Sequence, residues 1–282
     1  MTIRRKTRAI GGMLAVFWLC LPPLEVQALS RSSKNTNPLL TAESYVIVDA
    51  RDGSILHGKM PRKKLPPAST TKMMTVLVAM QYLPLDYPVP VSQNAANQSP
   101  SKAGLTLGAT YVVRDLLKAC LVSSSNDAAV ALAEAVAGNE SDFAKLMNEK
   151  ALSLGMTDTH FINSTGLTEK RRKQLTTAYD LTKMMRRAMK DGRIDEMMGL
   201  TEAKIRGSDG RWIEFRAHNK MLWKIPKFVK GKTGWTRAAR HTFVGTNYSS
   251  HKSIAFAMLS SQKPWTDIER LASFGLLLIQ KR

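Results

Sequence analysis

Three short strings in this chain carry residue types that chemistry needs: Ser69-Thr70-Thr71-Lys72, Ser124-Ser125-Asn126 and Lys232-Thr233-Gly234. A serine hydroxyl attacks a carbonyl only when a neighbouring group removes its proton. A lysine three positions further along a helix lies on the same face, one turn away. When buried near other cations, such a lysine gives up its own proton and becomes that base. The hydroxyl of Ser124 suits a proton relay, and the amide of Asn126 suits a peptide backbone. Lys232 and Thr233 offer a cation and a hydroxyl to a carboxylate, Gly234 lets a substrate backbone come close, and Trp235 follows directly. Taken singly, each string reads blandly: Ser69 as a helix cap beside a surface lysine, residues 124–126 as caps for the next helix, and residues 232–234 as a turn. Their occurrence together, in this order and on elements of fitting type, turns three bland readings into one site for acyl transfer.

The elements that must position these strings follow from patterning. Residues 45–49 and 54–57 read as strands around an Asp52-Gly53 turn, a hairpin. Pro66-Pro67 breaks the chain, and a helix is predicted from Ser69 to Leu83-Pro84. After a polar loop over 92–108, helices are predicted over 115–119, over 127–136 ending at Gly138, over 141–154 ending at Gly155, and over 178–190 behind the Thr176-Thr177 cap. Strands follow at 212–215, 242–246 and 254–259, paired by short turns, and a last helix covers 267–279. The two ends of the chain therefore share one mostly antiparallel sheet flanked by helices, and the middle forms a helical lobe. The predicted class is α/β (α+β) with the site in the cleft between the two.

Composition bounds the rest. The chain has 282 residues, 44% hydrophobic and 23% charged, enough for a sizeable core. Arg4, Arg5, Lys6 and Arg8 precede an apolar run over 13–21, and Val26-Gln27-Ala28 supplies small cleavage residues, so residues 1–28 read as a signal peptide cut after Ala28. The apolar run is too short to span a bilayer comfortably, so no stable membrane span is expected after cleavage. Residues 29–43 read as a flexible polar lead-in, and 44–282 as one catalytic domain. Beyond the leader, Cys120 is the single cysteine, so no internal disulfide forms, and its helical setting marks a buried inert thiol. The net charge is +20, and +17 remains past the leader. That charge favours an anionic cell wall. The dispersed basic residues, the export signal and the lack of zinc-ligand spacing or RNA-binding aromatics argue against nucleic acid.

With these blocks in view, the chain resembles the low-molecular-mass penicillin-binding proteins that act as serine-type D-alanyl-D-alanine carboxypeptidases. The likeness runs from about Tyr45 to Leu277 and includes, besides the three strings, 45–50, Pro66-Pro67-Ala68-Ser69, 116–129, Thr159-His160-Phe161, Thr165-Gly166-Leu167 and 177–181. It implies a fold like that of the DD-peptidases and β-lactamases, and it implies roles. Ser69 would attack the penultimate D-alanine carbonyl, Lys72 would be the general base, and Ser124 would relay a proton to the departing D-alanine. Asn126 would position the donor peptide, Lys232, Thr233 and Gly234 would bind the substrate's carboxylate end, and the N–H groups of Ser69 and Trp235 would form the oxyanion hole. It implies peptidoglycan stem peptides as substrate, β-lactams as covalent inhibitors, no cofactor or metal, and a periplasmic or cell-wall location.

Departures bear on carboxylate recognition. Ala238-Ala239-Arg240 stands where the family often has Ala-Gly, and His218-Asn219 where some members have Arg-Asn. Ser253 is placed near the position of a late-strand arginine. The chain has no room for the C-terminal domain of many members, which raises the alternative of a D-alanyl-D-alanine endopeptidase that cuts crosslinks. A class A β-lactamase would need a loop glutamate, for which Glu169 beside Lys170-Arg171-Arg172 is the nearest candidate. A non-catalytic wall-binding protein is the remaining alternative.

Overall fold

The structure is a computed structural model that describes residues 38–169, 172–224, 229–249 and 251–282. The predicted signal peptide and most of the predicted lead-in lie outside the described residues. In chain order the elements are β1 (Ser44–Asp49), β2 (Ile55–Lys59), a 3-10 turn (Ala68–Thr71), α1 (Lys72–Tyr82), β3 (Pro88–Pro90), α2 (Gln93–Ala96), β4 (Thr110–Val112), α3 (Val113–Val122), α4 (Asn126–Ala137), α5 (Glu140–Ser153), α6 (Ala178–Ala188), α7 (Gly192–Met198), β5 (Glu202–Arg206), β6 (Trp212–Arg216), α8 (Met221–Lys224), β7 (Lys230–Thr236), β8 (Arg240–Ser249), β9 (Lys252–Ser261) and α9 (Pro264–Gln280).

Five strands form the main sheet in the order β2-β1-β9-β8-β7, every neighbouring pair antiparallel. The first hairpin and the last strands thus meet in one sheet, as the order of elements predicts. Alternation along the strands builds two cores. Val46, Val48, Ala255, Ala257 and Leu259 enter the core shared with the helical lobe. Tyr45, Ile47, Ile254, Phe256 and Met258 enter a second core under Ile268, Leu271 and Ala272 of α9. A sheet covered on both faces explains why these strands read as nearly continuous apolar runs.

Helix α1 runs through the middle. Every residue from Lys72 to Ala79 is buried, so the helix is apolar on all sides except where it carries Lys72 and Thr75. The helix predicted from Ser69 in fact starts at Lys72: Ser69 lies in the 3-10 turn, entered through Ala68 at φ 48°. The predicted strand at 212–215 also departs from expectation. It joins β5 in a separate two-stranded sheet, with Arg206 opposite Trp212 and Glu202 opposite Arg216. Glu202, Lys204 and Arg206 face solvent while Ile205 is buried, a one-sided polar pattern that hid β5 in the sequence. Within the predicted polar loop, Ser92 caps the short α2 by accepting a bond from the Ala95 N–H.

Candidate active site

Two elements present Ser69 and Lys72. The 3-10 turn holds Ser69 half-buried at the cleft, and the first residue of α1 sends Lys72 under it. Lys72 Nζ donates to Ser69 Oγ at 3.1 Å, to Asn126 Oδ1 at 2.6 Å and to the Thr165 carbonyl at 2.8 Å. A neutral amine keeps two N–H donors and one lone pair. With Asn126 and Thr165 taking the two donors, the lone pair is left facing the Ser69 hydroxyl. Complete burial pushes the Lys72 ammonium down to about 8, against the opposing charges of Asp127 and Glu140. An amine with that proton affinity is a workable base near neutral pH.

Ser124 lies between α3 and α4 with φ 61°, a left-handed backbone that non-glycine residues seldom adopt. Its loop is tied down on both sides: the Ser125 N–H bonds the Ala119 carbonyl at 3.1 Å and the Asn126 N–H bonds the Ser101 carbonyl at 2.8 Å. Asp127 draws in the facing loop by accepting from the N–H groups of Ala103, Gly104 and Leu105. Asn126 spends both ends of its amide on the protein, Oδ1 on Lys72 and Nδ2 on the Pro100 carbonyl.

The third string forms part of β7, the free edge of the main sheet. Lys232 is buried and Thr233 half-buried, in the alternation the strand reading predicts. Lys232 Nζ donates to Ser124 Oγ at 2.8 Å and to the Thr233 carbonyl at 2.7 Å, which joins the second and third strings directly. Burial, then the charge of Lys72, drives Lys232 well below the usual lysine range. Trp235 follows with 61% of its surface exposed, its ring 6.4 Å from that of His241.

Two glycines let the parts close on the nucleophile. A Cβ on Gly166 would come within 1.9 Å of the Ala68 carbonyl oxygen, and φ at Gly166 is +85°. A Cβ on Gly234 would come within 2.8 Å of the Ser69 nitrogen. The Ser69 backbone is thus sandwiched between the 163–167 loop and β7, and Thr242 Oγ1 on β8 steadies the approach by donating to the Pro67 carbonyl at 2.9 Å.

All three strings therefore converge. The sequence reading missed the Thr165 carbonyl, Asn163, whose Oδ1 accepts from the Gly166 N–H at 2.9 Å, and Thr242. The run Asn163-Ser164-Thr165-Gly166 does carry a turn signal, an Asn three residues before a glycine. Ser253 was misplaced. It pairs with Tyr248, and because β9 runs antiparallel to β8, the end of β9 nearest the site is Ser261, opposite His241. Ser261 Oγ bonds Asp267 at 2.7 Å. Arg240 opens β8 opposite Thr236, and its charge acts on Glu43, adding to Lys63 in holding that carboxyl down. His218 does adjoin the cluster: its N–H bonds the Val122 carbonyl at 3.0 Å. Burial, Lys232 and Lys72 push its imidazole down to about 4. Part of the residue reaches solvent, so the two lysines are the firmer cause. Glu169 is held by Asn163 at 3.2 Å and Arg172 at 2.9 Å, and the three acceptors around Lys72 do not include it.

Known proteins match this arrangement. The D-alanyl-D-alanine carboxypeptidase DacB2 of Mycobacterium tuberculosis is 32% identical over 218 residues, 77% of this chain and 74% of that protein. DacF of Bacillus subtilis, also named a D-alanyl-D-alanine carboxypeptidase, is 33% identical over 75% of this chain, which spans only 55% of that protein's length. A D-alanyl-D-alanine endopeptidase of Escherichia coli is 29% identical over 94% of this chain and 86% of its own length. The crystal structure of a D-alanyl-D-alanine carboxypeptidase from M. tuberculosis superposes with a TM-score of 0.82 at 28% identity, covering 87% of this chain and 95% of that one. The family model for D-alanyl-D-alanine carboxypeptidases (peptidase family S11) matches residues 31–262, and with that span and the converged strings around Ser69 the chain belongs to this family.

Proposed function

We propose that the protein is a serine-type D-alanyl-D-alanine carboxypeptidase that removes the terminal D-alanine from peptidoglycan stem peptides. The observation that carries this is Lys72, set 3.1 Å from Ser69 Oγ with its other donors fixed on Asn126 and Thr165. Ser69 Oγ bonds to the penultimate D-alanine carbonyl carbon while Lys72 takes the hydroxyl proton. The peptide C–N bond then breaks as Ser124, backed by Lys232, passes a proton to the departing amine, and water later hydrolyses the Ser69 ester. The Ser69 and Trp235 N–H groups hold the oxyanion, where loss of one donor typically costs roughly 10²–10³ in rate. Protonated, as an approaching carboxylate favours, Lys232 has a third donor for the substrate carboxylate, with Thr233 beside it, and the free edge of β7 at Gly234 offers backbone groups to an extended peptide. Asn126 acts on the peptide through the Lys72 and Pro100 contacts that fix this wall. A β-lactam, opened by the same attack, would remain as an ester on Ser69.

The E. coli endopeptidase, which matches nearly the whole of this chain, favours a second reading: cleavage of D-alanyl crosslinks by the same machinery. Mass spectrometry of digested pentapeptide monomers and crosslinked dimers separates the two. Release of free D-alanine from monomers is expected; dimers converted to monomers with intact pentapeptide would shift the assignment to the endopeptidase. Failure of a fluorescent penicillin to label the wild-type protein at saturation would leave only the wall-binding reading.

Export and retention at the wall are part of the proposal, supported by the basic and apolar leader over 1–28 and the +17 charge beyond it. Among the described residues no helix is long and apolar enough to cross a membrane. Binding to purified sacculi should weaken as salt rises, and salt-independent binding would count against charge as the tether.

A further inference from the structure

The Thr165 carbonyl that orients Lys72 needs its own support, because loop 163–167 has no regular backbone ladder. The support comes from α5. Glu140 Oε1, on the first residue of that helix, accepts from Ser164 Oγ at 2.6 Å and from the Ser164 N–H at 3.1 Å. On its other side, Thr75 Oγ1, one turn beyond Lys72 on α1, donates to the Ser164 carbonyl at 2.6 Å. Ser164 and Thr165 are buried, and three hydrogen bonds from two sides hold Ser164. The carbonyl of the very next residue is the one that accepts the Lys72 hydrogen bond at 2.8 Å.

We propose that Glu140 is a positioning residue for the acylation step: its carboxylate fixes Ser164, and through it the Thr165 carbonyl against Lys72, and its negative charge adds to that of Asp127 beside the amine. The inference rests on Lys72 being the base. The ionisable groups facing Lys72 come from four helices and strands and one connecting strap. On α3, burial pushes the Cys120 thiol up to about 12, so it stays neutral. On α4, Asp127 carries a charge already shared among four backbone N–H groups. On β7, burial and then the charge of Lys72 lower Lys232, and His218, on the strap before α8, is held neutral above about pH 4. Glu140 on α5 is the remaining anion, and both anions favour the protonated amine. Removing the Glu140 charge while keeping its oxygen therefore makes Lys72 a base at lower pH.

The test is the pH profile of Ser69 acylation by a fluorescent penicillin, measured by stopped flow on the wild type, Glu140→Gln, Ser164→Ala and Lys72→Ala. In the wild type the rate should rise through a limb centred near pH 8, the value to which burial lowers Lys72. Glu140→Gln should move that limb to lower pH by roughly half a unit or more, with the plateau kept within roughly three-fold. Ser164→Ala, which keeps the charge but loosens the loop, should lower the plateau roughly five-fold and leave the limb in place. A limb unmoved in folded Glu140→Gln overturns the inference. If that variant does not fold, a wild-type plateau in Ser164→Ala overturns it instead. A wild type without the limb, or normal acylation in Lys72→Ala, fails the base assignment itself and is thereby distinguished from failure at Glu140.

Discussion

The two buried lysines of the site look alike and are proposed to do opposite things. Each has at most 1% of its surface exposed, each reaches a serine hydroxyl, and burial lowers the proton affinity of both. Their surroundings differ. Lys72 lies inside a closed shell of three acceptors, with Asp127 and Glu140 tempering the cost of its charge. Lys232 lies on the edge strand with two protein acceptors, and its nearest strong charge is the repulsive one of Lys72. A lysine whose donors are all engaged has only a proton to exchange with its neighbour. A buried lysine beside the free edge of β7, with only two protein acceptors, gains a third partner when an anion arrives, and a substrate carboxylate would relieve the repulsion it feels.

This contrast can be broken by mutation, and the largest effect falls on the closed side. Lys72→Ala should lower Ser69 acylation by roughly 10²–10⁴-fold, the usual worth of a general base. The readout is the rate of covalent adduct formation by intact-mass spectrometry, and it should fall equally for substrates with free or amidated C-termini. Lys232→Ala should instead discriminate. Turnover of a peptide ending in a free carboxylate should drop by roughly 10²-fold, mostly through KM, whereas an amidated analogue should lose much less. Equal losses for both peptides would mean that Lys232 serves Ser124 alone.

The smallest effect concerns stability. Lys72 binds its proton less tightly in the fold, at about 8, than the ordinary 10.5 of the unfolded chain. The unfolded state therefore holds more protons between those values, and the penalty for burying the charged lysine is full below that window and fades as pH rises across it. Lys72→Met should raise the melting temperature at pH 6–7, by a stabilisation on the order of 1–3 kcal/mol, and the gain should shrink toward pH 10. Thermal melts across pH measure it. A protein that becomes more stable when Lys72 is removed is holding that lysine at the expense of stability.

Much of this was legible beforehand. The apolar runs at 45–49 and 254–259 marked both strands, and the order of elements, strands at both ends around a block of helices, placed them in one sheet. The caps at Thr177 and Gly138 marked helix ends where the backbone itself needs those residues. The exposed hairpin of β5 and β6 was half-missed, since a strand with one solvated face and only Ile205 fully buried resembles any charged surface segment. Ser253 was misjudged for a different reason: which end of a strand meets a site depends on strand direction within the sheet, and nothing local to residues 252–261 reveals it.

Residue types, order and spacing were enough to single out Ser69, Lys72, Ser124, Asn126 and Lys232 as one group, and the fold brings them into contact. Only the tertiary structure decided which lysine has three protein acceptors and which has two. That distinction rests on contacts made across 93 and 54 residues of chain, from Lys72 to Thr165 and Asn126, and on the glycine-sized gaps at 166 and 234. It comes from packing, where burial and the geometry of acceptors set proton affinity, and neither property belongs to a residue before the chain has folded around it.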